Sequence, residues 1–396
     1  MSDILPLAQF IVDSLRLDSF ATNVDLPAEV DWAALIDHAD AHSLTPMLWS
    51  AWSRSTWLRR IPFETLERVA RALRDNMNRQ SNIKAEFLEI DALLTAAQVP
   101  HITLKGYPLA EHLYTDPAHR VIYDHDFLVP PQAAATGHQA LLAAGFKPLP
   151  AKDEWIEKHL PPVWRNDGYQ WDGYLFDPKY PRPVELHVRL WEKNWRGLQV
   201  NDLPDIWRDA QTQTVAGREI QTLSVEDTIG HLGMHFAGHL IEREARLSQL
   251  LDLARAVQQS KKIDWDQVIN KTTTAGVARF VYASLYLAHK IFGVLLPPAE
   301  IWQRLDAETP PAFRSWLSTQ GVNDVLVSNY RRRNKGKDYE LTFMAAGSLF
   351  ERAGILRFAA VPPLGQLMTK YNVRHRWLAA LMYPRYIADR LKTYGS

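Results

Sequence analysis

The chain has 396 residues and no cysteine, which excludes thiol catalysis, disulfide stapling and Cys-ligated metal clusters. It has no net charge, with 45 Lys+Arg against 45 Asp+Glu. No apolar run approaches the ~18 to 20 residues of a membrane-spanning helix, IFGVLLPP being the best candidate. There is no G-x-G-x-x-G fingerprint, Walker loop or G-x-S-x-G elbow, so Rossmann, P-loop and serine-hydrolase chemistry have no support. The first residues, MSDILPLAQFIVDSL, lack a basic segment and a small-residue cleavage site, and the expectation is a cytoplasmic protein. What remains is an ordinary globular composition, 46% hydrophobic and 23% charged, long enough for two or three domains with a sizeable core.

Zero net charge conceals an uneven distribution. Residues 331–396 hold 13 Lys/Arg and only the four acids Asp338, Glu340, Glu351 and Asp389, leaving everything upstream at 32 basic against 41 acidic residues. Within the tail, Arg331, Arg332, Arg333, Lys335 and Lys337 crowd together, and a second basic group surrounds Trp377, Leu381 and Tyr383. Basic residues beside apolar ones suit an interfacial helix. The favoured expectation is that these apolar residues pack back on the helical region upstream, with Pro384 breaking the helix. That leaves no stable membrane anchoring, only a weak, salt-sensitive affinity for polyanions or anionic lipid.

From Glu64 to Gln98, Leu66, Val69, Leu73, Met77, Ile83, Phe87, Ile90 and Leu94 recur at the spacing of an amphipathic helix or a closely joined pair. Asp31 before Trp32, and Asp264 before Trp265, are N-cap candidates, and Ser224 with Asp227 makes a capping box. The pattern changes at Val99-Pro100, where HITLKGYPLAEHLYTD gives a strand, a Gly turn and a short helix. VIYDHDFLV and VELHVRLW then alternate with period two. The predicted architecture is α+β: an N-terminal helical region over 1–98, a mixed core over 99–223, a C-terminal helical region over 224–330 and a basic helical tail over 331–396.

On a strand, the two-residue spacing of Asp124 and Asp126 puts both on one face and His125 on the other. Two carboxylates held together repel unless a hard divalent cation lies between them. Glu185 alternates against Val184 and Leu186 in the other strong strand, so adjacency of the two strands would converge three acids. Such a set can clamp two metal ions about 3.5 to 4 Å apart, one polarising the attacking oxygen and one the leaving phosphate oxygen. Upstream, Lys105-Gly106 stands at a strand-to-helix turn, where backbone N–H groups can face an anion, and Arg120 adds a planar fork suited to phosphate. The alternative for each acid is a solvated edge.

The run LKG, then LY and D, then R, DHDFLV and VELH resembles the uncharacterised nucleotidyltransferase family of the polymerase-β-like superfamily. The likeness extends to DW with AHSLTPML upstream, and to HLGMHFAGH with RLSQLLDLARAV downstream, spanning roughly residues 30–290. It implies Asp124, Asp126 and Glu185 as metal-binding and catalytic acids, with Lys105, Gly106, Arg120 and His187 on the nucleotide side. The implied cofactor is Mg²⁺ in a two-metal site. The implied reaction moves an NMP group from an NTP, with ATP the expected donor, to an unidentified acceptor, releasing pyrophosphate. The chain departs from the superfamily twice: its turn is Lys-Gly rather than Gly-Ser, and its third acid is Glu rather than Asp. A catalytically silent nucleotide-binding or scaffold protein is therefore the alternative, and a nucleic-acid-directed transferase using the basic tail is less favoured.

His231, His235 and His239 form one helical stripe, for which packing near the site is favoured over zinc because no acid stands between them. Six tryptophans between residues 155 and 207 could stack a base, though core and loop packing is favoured.

Overall fold

The computed structural model describes residues 4–15, 29–149, 156–166, 168–327 and 335–394 and places helices around one seven-stranded mixed sheet. Its strands are β1 (Ile102–Thr103), β2 (His125–Leu128), β3 (Lys147–Pro148), β4 (Val163–Trp164), β5 (Val184–His187), β6 (Gln211–Val215) and β7 (Arg218–Thr222). Their spatial order is β3-β4-β5-β2-β1-β7-β6. The central pair, β2 and β5, is parallel although β3 and β4 intervene in the chain. This is an α+β fold.

One face of the sheet is apolar. The helix Phe63–Ala96 runs unbroken for 34 residues and lays Ile83, Phe87, Ile90 and Leu94 against Phe127, Val184 and Leu186. Each such side chain contributes ~1.5 to 3 kcal/mol when fully buried. The helix Pro131–Ala143 closes the same layer, and Gly137 permits the approach: a Cβ there would meet Leu94 Cδ2 at 3.1 Å and Leu186 Cδ1 at 3.2 Å.

The expected stripe of the long helix is corrected in its middle. Met77 is exposed, whereas Asn76, Arg79 and Gln80 point inward. The reason is hydrogen bonding: Asn76 Nδ2 donates to Ala118 O at 2.7 Å and Gln80 Nε2 to Arg120 O at 2.6 Å. These bonds satisfy buried carbonyls of the irregular segment leading into β2, which a methionine could not do.

The other face of the sheet looks toward a helical bundle with its own apolar core. Val225–Ile241 is capped by Ser224, whose hydroxyl accepts from Asp227 N at 3.0 Å, and packs on Leu247–Gln259 and Ala278–Phe292. Asp31 and Asp264 cap their helices in the same way, each accepting a backbone N–H at 3.0 Å. Two expectations about the tail are overturned. Trp377 and Leu381 do not pack back but are 64% and 63% exposed, the inward positions being taken by Leu367, Ala379 and Tyr386 in a small cluster of their own. Pro384 begins rather than breaks a helix, lying in the first turn of Tyr383–Tyr394 where its missing N–H costs nothing. Trp155 and Arg331 to Arg333 lie outside the described residues, as do the side chains of Lys335 and Lys337. Among the described residues, no helix is long and apolar enough to cross a membrane.

Candidate active site

Parallel pairing of β2 and β5 sets Asp126 directly beside Glu185 and Leu128 beside His187. Because strand side chains alternate, Phe127, Val184 and Leu186 go to the apolar layer while Asp126, Glu185 and His187 share the opposite face. His187 Nε2 lies 3.0 Å from Asp126 Oδ1 and 3.2 Å from Glu185 Oε2. His159 Nε2 approaches Glu185 from the side at 3.5 Å.

Asp124 stands one residue before β2 rather than within it. The Lys105 ammonium joins it to the rest, 3.0 and 2.9 Å from the two Asp124 oxygens and 2.7 Å from Asp126 Oδ2. Lys105 is carried there by the backbone bond from Leu104 N to Asp126 O and by the turn at Gly106, whose φ of +88° and ψ of −132° suit glycine alone. The site therefore brings Lys105, Asp124, Asp126, Glu185 and His187 together.

The charges are strongly interdependent. Burial opposes the Lys105 ammonium, but Asp124, Asp126 and Glu185 outweigh it and raise its pKa. Burial opposes Asp126 too, and Lys105 and His187 overcome it, holding that carboxyl well below its usual range. Asp124 goes the other way, raised by burial and by Asp126 beyond what Lys105 offsets. Glu185 is lowered despite burial, chiefly by the hydrogen bond with His187, whose own pKa is raised by Asp126 and Glu185 against burial.

Asp126, Glu185 and His187 each offer a ligand atom within 4.8 Å of the others, so two carboxylates and an imidazole fit a divalent cation. Asp126 Oδ2 is buried with the Lys105 ammonium 2.7 Å away as its near partner, and a carboxylate oxygen paired in this way still has a second lone pair for a ligand. The grouping differs from the three expected acids: His187 joins it, and Asp124 is linked through Lys105.

Arg120 is placed differently from a free phosphate fork. Its Nε lies 3.0 Å from both Asp252 oxygens, Nη2 is 2.8 Å from Oδ2, and Nη1 donates to Gly106 O at 3.2 Å. Tyr114 OH also donates to Asp252, at 2.7 Å. The pair ties the sheet and its glycine turn to the helix Leu247–Gln259. Asp252 escapes a sequence reading that sees only the apolar stripe of that helix, though a lone acid between Leu251 and Leu253 is the signal that could have found it.

Two cavities share the helix Val225–Ile241 as a wall. One, of about 620 Å³, is lined by Lys105, Arg120, Tyr123 and Asp124 and by Arg243, Arg246 and Gln249 from beyond the sheet. The other, of about 540 Å³, is lined by Lys158, Trp191, Trp195, Met234 and Phe358. His235 and His239 border both. The rings stack in a column: Trp191 on His231 with centroids 6.3 Å apart, His231 on His235 at 6.0 Å, and His239 edge-on to His235 at 4.7 Å. Burial and then nearby cations push His231 and His239 down to about 3, so the column is neutral. Among the described residues, these three histidines do not gather their nitrogens within 4.8 Å as a metal group. Of the six tryptophans, Trp191 and Trp195 line the second cavity, while Trp171 and Trp207 are exposed.

A family of uncharacterised nucleotidyltransferases matches residues 28–293, which include the whole sheet and the histidine-bearing helix. The chain belongs to this family. No curated protein matches it. A crystal structure of an antigenic nucleotidyltransferase-like protein from Paracoccidioides brasiliensis is similar over 57% of this chain and 97% of that one, at 12% identity and a TM-score of 0.32.

Proposed function

We propose that this nucleotidyltransferase is Mg²⁺-dependent and acts in the cytoplasm, moving an NMP group from an NTP, ATP by preference, to an acceptor hydroxyl or phosphate. The observation that carries this reading is the Lys105–Asp124–Asp126–Glu185–His187 cluster, gathered around two adjacent parallel strands, with Lys105 and Asp124 lining a cleft that Arg243 and Arg246 also line. A divalent cation held by the Asp126 and Glu185 carboxylates, with Asp124 alongside and His187 hydrogen-bonded to both ligands, would neutralise the triphosphate and favour the ionised acceptor. The remaining work falls to the chain. Arg243 and Arg246 supply positive charge along the cleft. Lys105 sits where the acids meet the cleft, so its ammonium can pass from Asp124 to a phosphate oxygen. Arg120 positions Gly106 rather than binding phosphate itself. Glu185, held ionised, takes the acceptor's proton as the new O–P bond forms and the bond to pyrophosphate breaks.

A second reading has its own observation: Lys105 pairs with both Asp124 and Asp126, an internal counter-charge that suits a protein that binds nucleotide and transfers nothing. One experiment separates the two. Pure protein, labelled NTPs, Mg²⁺ and cell extract are incubated together, pyrophosphate is assayed, and mass spectrometry searches for an increment of one NMP. Metal-dependent pyrophosphate release with a labelled product is expected; nucleotide binding with neither would establish the silent reading.

A further inference from the structure

The outer surface of the tail has a composition found nowhere else on the described residues. Of the 13 large hydrophobic side chains that stand exposed, seven fall between residues 349 and 387, while the other six are scattered singly from Phe63 to Leu295. Leu349, Phe350 and Leu356 are 80%, 70% and 61% exposed on the helix Leu349–Ala360, whose opposite side buries Glu351 and Ile355. Trp377 on Arg376–Ala380, Leu381 just after it and Ile387 on Tyr383–Tyr394 are exposed as well.

The charge among them has one sign. Arg352, Arg357, Lys370, Arg374, Arg376 and Arg385 are all exposed. The two acids of the same stretch are turned to internal tasks. Glu351 forms a buried ion pair with Arg279 at 2.6 Å, and Asp389 accepts the Tyr371 hydroxyl at 2.8 Å. An exposed apolar surface of this kind marks an interaction site. Cations interleaved with aliphatic side chains, with no exposed acid, match an anionic bilayer surface, where phosphates meet the cations and the apolar tips enter the headgroup boundary. Five of the seven exposed apolar side chains, Leu349, Leu356, Val361, Leu381 and Ile387, are aliphatic and offer no ring for a base to stack on, which favours a bilayer over RNA as the occupant.

We propose that residues 349–389 form a peripheral docking face for anionic lipid, reversible and salt-sensitive, which brings the transferase to a membrane surface without anchoring it. This stands independently of the proposed reaction. The test uses the full chain in co-sedimentation with vesicles of phosphatidylcholine alone or with about 30% phosphatidylglycerol, the anionic lipid providing the surface potential. Binding is expected only with phosphatidylglycerol, weakening about tenfold or more as salt rises from ~0.05 to ~0.5 M, because screening removes the attraction. Two variants should each lose about tenfold in vesicle affinity while keeping the wild-type circular dichroism: Leu349→Ser with Phe350→Ser, and Arg374→Glu with Arg376→Glu. Absence of binding at low salt, equal binding to neutral vesicles, or undiminished binding by both variants would overturn the proposal. So would sedimentation analysis showing that this face holds two copies of the chain together, or tighter binding to single-stranded RNA than to vesicles.

Discussion

Neighbouring residues of β2 have opposite fates. His125 turns toward the long helix, where its Nε2 lies 3.1 Å from Glu86 Oε2, and Arg182 Nε donates to the same oxygen at 2.6 Å. Asp126 turns toward the helical bundle and joins Lys105, Glu185 and His187. Both clusters are buried and mix acids with cations, yet they differ in how the charges are matched. On the first face one carboxylate meets an imidazole and a guanidinium, so its charge is matched. On the second, three carboxylates share one ammonium and one imidazole, leaving an anionic excess that a divalent cation would complete. Buried charge alone therefore does not mark a site; charge that the protein leaves incomplete does.

The comparison is sharpest if each face is damaged separately. Asp126→Asn should lower nucleotidyl transfer by about a thousandfold or more, ~4 kcal/mol at the transition state, in a protein whose circular dichroism at about 25 °C still shows the wild-type fold. A variant that transfers normally would remove Asp126 from the chemistry.

Glu86 should behave in the reverse sense. Burial opposes its charge, but His125 and Arg182 hold it down to about 2, against an ordinary 4.5. A depressed carboxylate contributes its stability above the unfolded-state pKa and loses it as the pH falls toward the folded one. About 3 kcal/mol should therefore disappear between roughly pH 5 and pH 2. Urea unfolding across that window should show the fall in the wild type and a much flatter profile in Glu86→Gln, whose NTP binding should be unchanged. Equal pH slopes in the two proteins would mean that Glu86 is not held as described.

Lys105 touches both the acids and the cleft, so its loss should be smaller and of a different kind. Lys105→Ala should weaken NTP binding ten- to a hundredfold, as one charged contact to phosphate is worth ~1.5 to 3 kcal/mol. Isothermal titration with a non-hydrolysable NTP checks it, and unchanged affinity would place the triphosphate elsewhere.

The facing of Asp126 and Glu185 was legible in the sequence because period-two alternation is a local property: Val184 and Leu186 need an apolar layer, so Glu185 must face away, whereas Asp124 falls just before the strand. The helix caps at Asp31, Ser224 and Asp264 were legible for the same reason, since each acts within one helical turn. Family membership was legible too, because DHDFLV and VELH keep their spacing within short segments. By contrast, the long helix misled at Met77, since the polar residues beside it answer carbonyls some 40 positions away. The tail misled at Trp377, since sequence pattern registers that a residue is apolar and not whether a partner surface remains for it.

What the sequence determined by itself is thus the identity and facing of the charged residues on each strand, through the geometry of the extended chain and the solvation cost of burying a lone charge. Only the tertiary structure decided which charges meet. β2 and β5 pair across the intervening β3 and β4, Lys105 arrives by a turn that glycine alone permits, and Arg120 is drawn onto Asp252, 132 residues along the chain. Those meetings follow from packing two cores against one sheet and from the electrostatic need of each buried charge for a counterpart, neither of which is written in any local stretch of residues.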